Sequence, residues 1–335
     1  MSGSASNAPL RAGLVGCGRI AQSHLEALSH IPDITLTAVV DTQSAAASAV
    51  AEQRRCKLLT DYRDASLLAD VDAVILCTPP ATHYAMAKHF LSNGVHVLCE
   101  KPLTIASSEA KELVELSERA GLKLMMASKF RYVDDIIKAK AIIEAGILGK
   151  IILFENAFCS KVLMKDRWNS QRSLGGGGVL IDNGCHSTDI ARYLLGPIQS
   201  VQSEFGISSQ GLEVEDTARV QFRTERGVMG TIDLSWSLNK DSESYISVHG
   251  SSGTLHVGWA GSRYRQDGNS NWVSFGTGYK KVDAFKSQLE NFLGWIRGVE
   301  VPRITGADAL ASVQVIEAAY AAATRDNWLA VGKAA

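Results

Sequence analysis

Near its N-terminus the chain reads Gly13-Leu14-Val15-Gly16-Cys17-Gly18-Arg19-Ile20-Ala21. This stretch ends an apolar run and opens an amphipathic helical pattern, and Asp41 closes the next apolar run, Ile34–Val40. The order of strand, glycine turn, helix, strand and acidic residue is the dinucleotide-binding fingerprint of a doubly wound α/β fold. The glycine turn alone would fit a mere tight turn equally well, so Asp41 at the correct distance is what favours a nucleotide site.

Each position of the fingerprint has a physical reason. Gly16 permits a tight turn, Gly18 lets the backbone approach a pyrophosphate, and Ala21 lets the helix lie close to the strand. The helix then offers free N–H groups and a positive dipole end to the phosphates. Asp41 is expected to accept hydrogen bonds from the adenosine ribose and to repel a 2′-phosphate. No Arg or Lys follows it at residues 42–44, so the sequence predicts NAD rather than NADP.

The bulk composition is that of an ordinary soluble globular protein. The chain has 335 residues, 46% of them hydrophobic and 21% charged, which suits two domains. Its net charge of −1 leaves no basic stripe for nucleic acid, and no apolar run is long enough to cross a bilayer. The start of the chain does not have the charged and apolar regions of a signal peptide. The cysteines are scattered without a CxxC motif and are interpreted as reduced, buried thiols, which predicts a cytoplasmic protein: Cys17, Cys56, Cys77, Cys99, Cys159 and Cys185.

The pattern along the chain predicts two domains after a disordered tail at residues 1–9. Strand and helix patterns alternate over residues 10–127, which predicts a Rossmann domain with a doubly wound parallel sheet. Residues 128–335 are rich in β-patterns and predict an α+β domain on a large, mostly antiparallel sheet, for substrate binding and oligomerisation. The helix expected at residues 307–325 is a candidate to pack back on the Rossmann domain. Because the predicted helices are too few to cover both faces of the large sheet, a homodimer or homotetramer through that sheet is expected.

Cys77-Thr78-Pro79-Pro80, followed by His83, ends one of the apolar runs. Loops at the carboxyl ends of parallel strands line the ligand crevice in this fold, and two prolines make a stiff wall there for a nicotinamide or a ribose. The alternative is a strand terminator followed by a capped helix, which the sequence supports equally well.

Glu100-Lys101-Pro102 ends the very apolar strand pattern at residues 95–99. A lysine at this position would lie near the buried mouth of the sheet, where desolvation lowers its pKa and the side chain serves as a hydrogen-bond donor. An ordinary surface loop would also tolerate a Glu-Lys pair, so both interpretations stay open here.

Four consecutive glycines, residues 175–178, precede an apolar run that contains Asp182, Asn183 and His186. Glycines in a run suggest backbone packed closely against a ligand. In a helix Asp182, His186 and Asp189 would share a face, and a carboxylate beside an imidazole can fix its tautomer and tune its pKa. A structural histidine capped by Asp is the simpler alternative. A zinc site is disfavoured because no full set of Cys and His ligands accompanies it, and no metal is expected.

Taken together, the motifs GxGxxA, TPPxxH, EKP and GGGxxxDxGxH on a chain with a β-rich second half resemble those of the Gfo/Idh/MocA oxidoreductases. The resemblance spans about residues 10–330 and implies a two-domain NAD(P)-dependent dehydrogenase of sugars, cyclitols or their derivatives. It implies that Lys101 is the catalytic lysine and that Asp182 and His186 flank the substrate hydroxyl. The run Ser128-Lys129-Phe130-Arg131-Tyr132 departs from the family's Asn-Arg-Arg-Phe-like stretch, which weakens any substrate contact inferred there.

These patterns give a set of predicted site residues. The catalytic residues are Lys101, Asp182 and His186, where His186 is the general base, Asp182 supports it and Lys101 donates a hydrogen bond to the substrate oxygen. The predicted cofactor-binding residues are Gly16, Gly18, Arg19, Ile20, Asp41, Thr78, Pro79, His83, Glu100 and Lys101. The predicted substrate contacts are Lys129, Arg131, Trp168 and Asn183.

The substrate and the reaction type leave alternatives. The cations Lys161, Lys165, Arg167 and Arg172, with Trp168, would suit an anionic sugar derivative if they face the site, whereas solvated loop charges would leave a neutral pyranose or cyclitol. A redox-neutral glycosidase that uses NAD only transiently, a nucleotide-sensing protein without catalysis and a Rossmann reductase of another class are the competing functions.

Overall fold

The computed structural model of the chain describes residues 8–332, so most of the tail predicted at residues 1–9 lies outside the described part. The contacts divide the chain into two compact units. The first comprises residues up to Thr104, Ser108–Lys129 and Lys281–Leu310. The second comprises Ile105–Ser107, Phe130–Lys280 and the chain from Ala311 onward.

The secondary structure follows the predicted alternation and then the predicted β-rich pattern. In chain order the strands are β1 (Leu10–Val15), β2 (Ile34–Val40), β3 (Lys57–Leu59), β4 (Ala73–Leu76), β5 (His96–Glu100), β6 (Leu124–Ala127), β7 (Ile151–Cys159), β8 (Ile198–Phe205), β9 (Thr217–Thr224), β10 (Met229–Ser235), β11 (Ser244–Gly250), β12 (Gly253–Gly258), β13 (Ser262–Gln266), β14 (Val273–Gly276) and β15 (Leu329–Ala330). The helices are α1 (Arg19–Leu28), α2 (Ser44–Arg54), α3 (Ala65–Asp70), α4 (Pro80–Ser92), α5 (Ser107–Ala120), α6 (Asp134–Glu144), α7 (Arg172–Gly175), α8 (Val179–Asp182), α9 (Gly184–Leu195), α10 (Lys281–Ile296) and α11 (Gly306–Arg325). None of the helices in residues 8–332 is both long and apolar enough to span a membrane.

The sheet of the first unit has the order β3-β2-β1-β4-β5-β6 with every neighbouring pair parallel. All residues of β4 and β6 are buried, as expected for strands that carry helices on both faces of the sheet. The predicted doubly wound fold is therefore confirmed. Its strand order reverses between β1 and β4, and this switch point is where such sheets bind their ligands.

The switch point explains the first glycine of the fingerprint. Gly16 follows β1 with φ +90°, a conformation that residues with a side chain rarely adopt. A Cβ at this position would lie 2.7 Å from the carbonyl oxygen of Cys77, which follows β4. The ends of β1 and β4 approach so closely that only glycine fits between them.

The first unit also contains α10, which the predicted division assigned to the second domain. Helix α10 packs against α1, with Phe285, Leu289 and Phe292 buried. The ring of His24 on α1 lies edge-on to that of Phe285, with centroids 4.8 Å apart. This apolar contact is why a segment so late in the chain groups with the first unit, whereas α11 from Ala311 onward groups with the second.

The sheet of the second unit has nine strands in the described part of the chain, in the order β14-β13-β12-β11-β7-β10-β9-β8-β15. Among these strands only β7 and β10 are parallel neighbours, so the predicted large, mostly antiparallel sheet is confirmed. Helices α6, α8 and α9 pack against its strands. Strands β12 to β14 were not anticipated, because all three are short, and β13 and β14 also mix exposed polar residues with few apolar ones.

A buried ion pair lies within the second unit. Arg131 and Asp189 of α9 contact each other through the guanidinium Nε and Nη2 atoms at 2.7–3.0 Å, and both side chains are almost fully buried. Ser312 of α11 lies 3.4 Å from the same carboxylate. The paired carboxylate compensates the buried guanidinium, which would otherwise be very costly away from water.

Replacing Asp189 by Asn should therefore destabilise the protein strongly. The buried guanidinium would lose the negative charge of this carboxylate, and we expect the free energy of unfolding to fall by about 3–5 kcal/mol. Calorimetric Tm values and denaturant midpoints measure the change. The control is Glu112→Gln, which breaks the exposed Lys88–Glu112 pair and should lower the stability far less. Equal losses in the two variants would contradict this role of the buried pair.

Candidate active site

The start of α1 is built to accept an anion. Gly18 is its N-cap, and within the described residues no side chain caps this helix end. The space next to the Gly18 Cα is open, with no heavy atom of the described chain within 4 Å of the position that a Cβ would take, and the first turn carries no acidic residue. Arg19 and Ile20 open the helix and are at least partly exposed, while Ala21 is fully buried. Backbone N–H groups at such a helix end bind phosphate oxygens.

Asp41 is held in place at the end of β2. Its Oδ2 accepts a hydrogen bond of 2.7 Å from the backbone N–H of Cys17, and its Oδ1 accepts one of 2.8 Å from the backbone N–H of Gln43. The carboxylate is thereby fixed beside the glycine turn while the residue stays half-exposed. This is the arrangement that recognition of a ribose next to a pyrophosphate needs.

The predicted Thr78, Pro79 and His83 lie at the carboxyl end of β4. Pro79 is the N-cap of α4, and Thr78 contacts the Thr82 hydroxyl at 2.7 Å. His83 is fully buried, with Nδ1 2.7 Å from the carbonyl oxygen of Pro102 and Nε2 2.8 Å from that of Thr78. Burial lowers the pKa of His83, and because the neutral ring carries one N–H it donates to one of these two carbonyls at a time, between the loop after β4 and the loop after β5. Its contribution to cofactor binding stays a prediction.

Glu100 is the last residue of β5, and Lys101 follows it. The Glu100 carboxylate is buried and pairs with His24 at 2.8 Å, while Lys101 is half-buried and precedes a cis peptide bond to Pro102. The sequence analysis did not identify His24. It lies 76 residues from Glu100, and no pattern in the sequence links the two positions.

The glycine run in the second unit packs against protein groups. A Cβ on Gly177 would collide with the hydroxyl of Tyr320, and one on Gly178 with the carbonyl of Glu215. The expectation that this backbone packs closely against a ligand is therefore corrected at these two positions: the close neighbours are part of the chain itself. Gly176, with φ +82°, lies against Ile105.

Glu215 anchors the helix that follows the glycines. Its Oε1 accepts hydrogen bonds from the backbone N–H groups of Gly178 and Leu180, at 2.9 and 3.1 Å, and from the Tyr320 hydroxyl at 2.6 Å. Burial and the neighbouring carboxylate raise the pKa of Tyr320 far above its usual value, so the phenol remains a donor. Sequence reasoning missed Glu215 and Tyr320, which are 105 residues apart.

Asp182 and His186 lie on consecutive short elements of the second unit. Asp182 ends α8, Asn183 joins the two helices, and His186 lies in the first turn of α9. His186 is nearly buried, and its ring lies edge-on to Phe130 at 5.0 Å. Phe130 in turn stacks on Phe158 and on Tyr279, so an aromatic cluster holds the imidazole.

The predicted substrate residues have different surroundings. Trp168 is 39% exposed in a short 3₁₀ turn, and Asn183 is half-exposed. Lys129 belongs to the first unit, where its ammonium lies 5.6 Å from the centroid of Phe285. Arg131 is buried in the ion pair with Asp189, and only 4% of its side chain is exposed. Contacts of all four with a substrate stay predictions.

Metal binding has no support in the described part of the chain, where no group of three or more His, Cys, Asp and Glu side chains could hold an ion. The zinc alternative for the Asp182–His186 segment thus gains nothing from the structure.

Comparison with known families matches both parts of the chain. Residues 10–128 match the family described as "Oxidoreductase family, NAD-binding Rossmann fold" of GFO/IDH/MocA proteins. Residues 136–256 match the GFO/IDH/MocA C-terminal domain.

Curated relatives and solved structures agree with this match. The chain is 27% identical over 332 residues to inositol 2-dehydrogenase of Rhizobium meliloti (strain 1021), covering 92% of this chain and 96% of that protein. It is 28% identical over 268 residues to D-glucoside 3-dehydrogenase of Escherichia coli (strain K12), covering 74% of this chain and 76% of that protein. The structure of levoglucosan dehydrogenase in complex with NADH and levoglucosan has the same fold, with a TM-score of 0.89, 20% identity and coverage of 97% of this chain and 100% of that one.

Proposed function

Because this chain belongs to the GFO/IDH/MocA family of NAD-binding oxidoreductases, we propose that it is a dehydrogenase that oxidises a secondary hydroxyl of a sugar, a nucleotide sugar or a cyclitol to a ketone. When bound, NAD supplies the hydride acceptor. A redox-neutral glycosidase on the same fold is the alternative that the experiments below separate from it.

The observation that carries the proposal is the set of residues that follow the carboxyl ends of the parallel strands in the first unit. The carboxyl ends of the parallel strands β1, β2, β4 and β5 are followed by Gly16, Asp41, Thr78 and Lys101. Ligands of doubly wound folds bind outside these ends at the switch point. A nucleotide cradle and a lysine on the same edge are what a nicotinamide-dependent dehydrogenase needs.

NAD fits the residues at this edge. The uncapped start of α1 and the open space at Gly18 suit a pyrophosphate. The anchored Asp41 carboxylate suits the two ribose hydroxyls and opposes a 2′-phosphate, and residues 42–44 offer no cation to offset that repulsion. We therefore propose NAD rather than NADP as the cofactor.

In the proposed reaction three side chains handle the proton and the charge. His186 accepts the hydroxyl proton of the substrate, and Asp182 orients the imidazole and stabilises its protonated form. Lys101 donates a hydrogen bond to the same oxygen and so stabilises the developing alkoxide. The edge-on contact with Phe130 supports this role, because it holds the His186 ring in a fixed orientation.

A carbohydrate or cyclitol substrate is supported by the names of the relatives. One acts on inositol, one on a D-glucoside, and a structural neighbour is solved with levoglucosan. All are polyhydroxylated rings or their derivatives. The exposed Trp168 offers an apolar face of the kind on which such rings stack.

The state of the cysteines supports a reducing compartment. All cysteines of the chain are free thiols, three of them buried within the first unit as Cys17, Cys77 and Cys99. We propose a cytoplasmic location on this ground, since structural thiols persist where disulfides do not form.

The open face of the nine-stranded sheet supports self-association. Leu153 of β7 is in register with Met229 of β10, and these side chains are 42% and 49% exposed. Nearby, Asp233 pairs with Arg219 at 2.7 Å beside a cavity of about 340 Å³. Apolar residues combined with both signs of charge allow the same face of a second copy to pack on it in an isologous dimer.

Charge placed on this face should weaken the assembly. We expect the unmodified protein to run as a dimer or tetramer in size-exclusion chromatography with light scattering. Met229→Glu should shift it towards the monomer, because the new carboxylates would be buried against each other. Val301→Glu is the control, since Val301 is 83% exposed outside the sheet and its change should leave the mass unaltered. A monomeric unmodified protein would contradict the proposal.

Removing the Lys101 ammonium should abolish most of the turnover. With purified protein, NAD and a panel of inositols, hexoses, uronates and nucleotide sugars, we expect NADH to accumulate with one substrate class. Lys101→Met should then lower kcat by about 10²–10³-fold, because the developing alkoxide loses its donor. NADH binding, measured by its fluorescence, should change little.

Lys88→Met is the matched control, since Lys88 is an exposed lysine of the same unit that pairs with Glu112. Near-normal kcat in the Lys101 variant would remove Lys101 from the mechanism. If the wild type releases sugar from glycosides without net formation of NADH, the redox-neutral glycosidase replaces the dehydrogenase.

The cofactor preference should depend on the charge of Asp41. Asp41→Asn keeps one side-chain acceptor for a backbone N–H but removes the negative charge. We expect the ratio of kcat/KM for NAD to that for NADP to fall by about tenfold or more, the effect of roughly 1.4 kcal/mol. Steady-state kinetics with both cofactors measure the ratio. An unchanged ratio, or a wild type that prefers NADP, would disprove the assignment.

A further inference from the structure

The carboxylate of Glu100 has a partner on each of its oxygens. Oε1 accepts a hydrogen bond of 2.8 Å from Nε2 of His24, and Oε2 accepts one of 3.3 Å from the backbone N–H of Lys101. Glu100 is only 6% exposed and His24 is fully buried. A buried carboxylate thus connects a side chain of α1 to the backbone of the proposed catalytic lysine.

His24 is fixed from the other side as well. It lies on the buried face of α1, the helix that begins directly after the glycine turn. Its ring stands edge-on against Phe285 of α10, with centroids 4.8 Å apart and planes at 85°. Because an ionised carboxylate only accepts hydrogen bonds, the Nε2 atom of His24 must carry the proton of this contact.

The charge of Glu100 depends on these neighbours. Burial by itself would raise the pKa of the Glu100 carboxyl, but the hydrogen bond and charge of His24, together with the charges of Lys101 and Lys129, lower it below its usual value. The carboxylate is therefore ionised at neutral pH and keeps both hydrogen bonds. The titratable groups that interact with it are His24, Cys77, His83, Cys99, Lys101 and Lys129.

We propose that His24 is a positioning residue for Lys101, acting through the Glu100 carboxylate and tying the backbone of the lysine to the cofactor helix α1. The inference rests on the proposed role of Lys101 in the reaction. No contact of His24 with a ligand is needed, since its fully buried ring lies against Phe285 and reaches Lys101 through Glu100. The side chain of His24 on α1 thereby fixes the backbone position from which the Lys101 side chain extends.

Loss of the His24 donor has a defined consequence. The Oε1 atom of Glu100 would be left buried without its partner, and such a carboxylate either takes up a proton or turns towards water. Both changes release the N–H of Lys101 and let the turn at Pro102 shift. Misplacement of a catalytic group by about 1 Å can cost roughly a hundredfold in rate.

The test compares His24→Leu with His24→Gln. Glutamine places an amide N–H at a distance similar to that of Nε2 and should preserve the contact, whereas leucine cannot donate. Leu25→Ala is the matched control, because Leu25 is the next buried residue of α1 and its loss loosens the same helix without touching the carboxylate. Thermal melts confirm that each variant is folded before it is used.

Two readouts are taken. Trace acetylation of the native protein, followed by peptide mass spectrometry over a range of pH, reports the reactivity of Lys101 without any substrate. Steady-state kinetics report kcat and KM with the sugar found in the panel. We expect His24→Leu to change the acetylation profile of Lys101 and to lower kcat by about tenfold to a hundredfold. The loss should be larger at low pH and should shrink as pH rises, because the Glu100 carboxyl of this variant lacks the His24 contact that lowers its pKa and takes up a proton more readily.

The outcomes separate the two proposals. His24→Gln close to the wild type in both readouts, with Leu25→Ala lacking the pH-dependent loss, supports the positioning role. An unchanged Lys101 profile in His24→Leu, or the same change in Leu25→Ala, overturns it whatever the activity. If the wild type oxidises no member of the panel while the Lys101 profile still responds only to His24→Leu, the coupling stands and the proposed dehydrogenase function fails.

Discussion

The close approach of the ends of β1 and β4 is the constraint on which the first unit depends. The carbonyl oxygen of Cys77 occupies the space that a side chain on residue 16 would need, so the chain must turn there with glycine and a positive φ. This turn starts α1 at the edge of the sheet and directs the N–H of Cys17 to the carboxylate of Asp41. The helix end proposed to bind phosphate and the acid proposed to bind ribose are thus fixed by one steric condition.

In the second unit, the carboxylate of Glu215 fixes the start of a helix in a similar way. The Oε1 atom of Glu215 accepts hydrogen bonds from two backbone N–H groups at the start of α8 and from the hydroxyl of Tyr320. A four-residue helix has little stability of its own, so this anchor fixes the position of α8 and therefore that of its last residue, Asp182. Residues 177 and 178, just before α8, must be glycine because Tyr320 and Glu215 fill the space that a side chain would need.

Local patterns in the sequence predicted the longer strands and helices and the glycine turn. The alternation over the first part of the chain predicted the parallel sheet, and the fingerprint predicted the turn, α1 and the position of Asp41. It missed β3 and α3, which are too short to show a period, and it attributed the glycine run to a ligand. It also missed His24, because a hydrogen bond between residues 76 positions apart leaves no spacing that a single sequence reveals. Such pairs exist only once the strands and helices are assembled.

These long-range pairs share one physical form. Glu100, Asp189 and Glu215 are acidic groups removed wholly or partly from water, and each holds a donor from a distant part of the chain: His24, Arg131 and Tyr320. The desolvation of such groups cancels much of the attraction, so the net gain in stability is small, yet the loss of one partner is costly. This asymmetry selects a single arrangement of the backbone around each acid. Lys101 follows Glu100, Asp182 ends the helix α8 that Glu215 anchors, and His186 lies on the same helix as Asp189. Their placement therefore depends on buried groups whose hydrogen-bond partners are supplied by the chain itself.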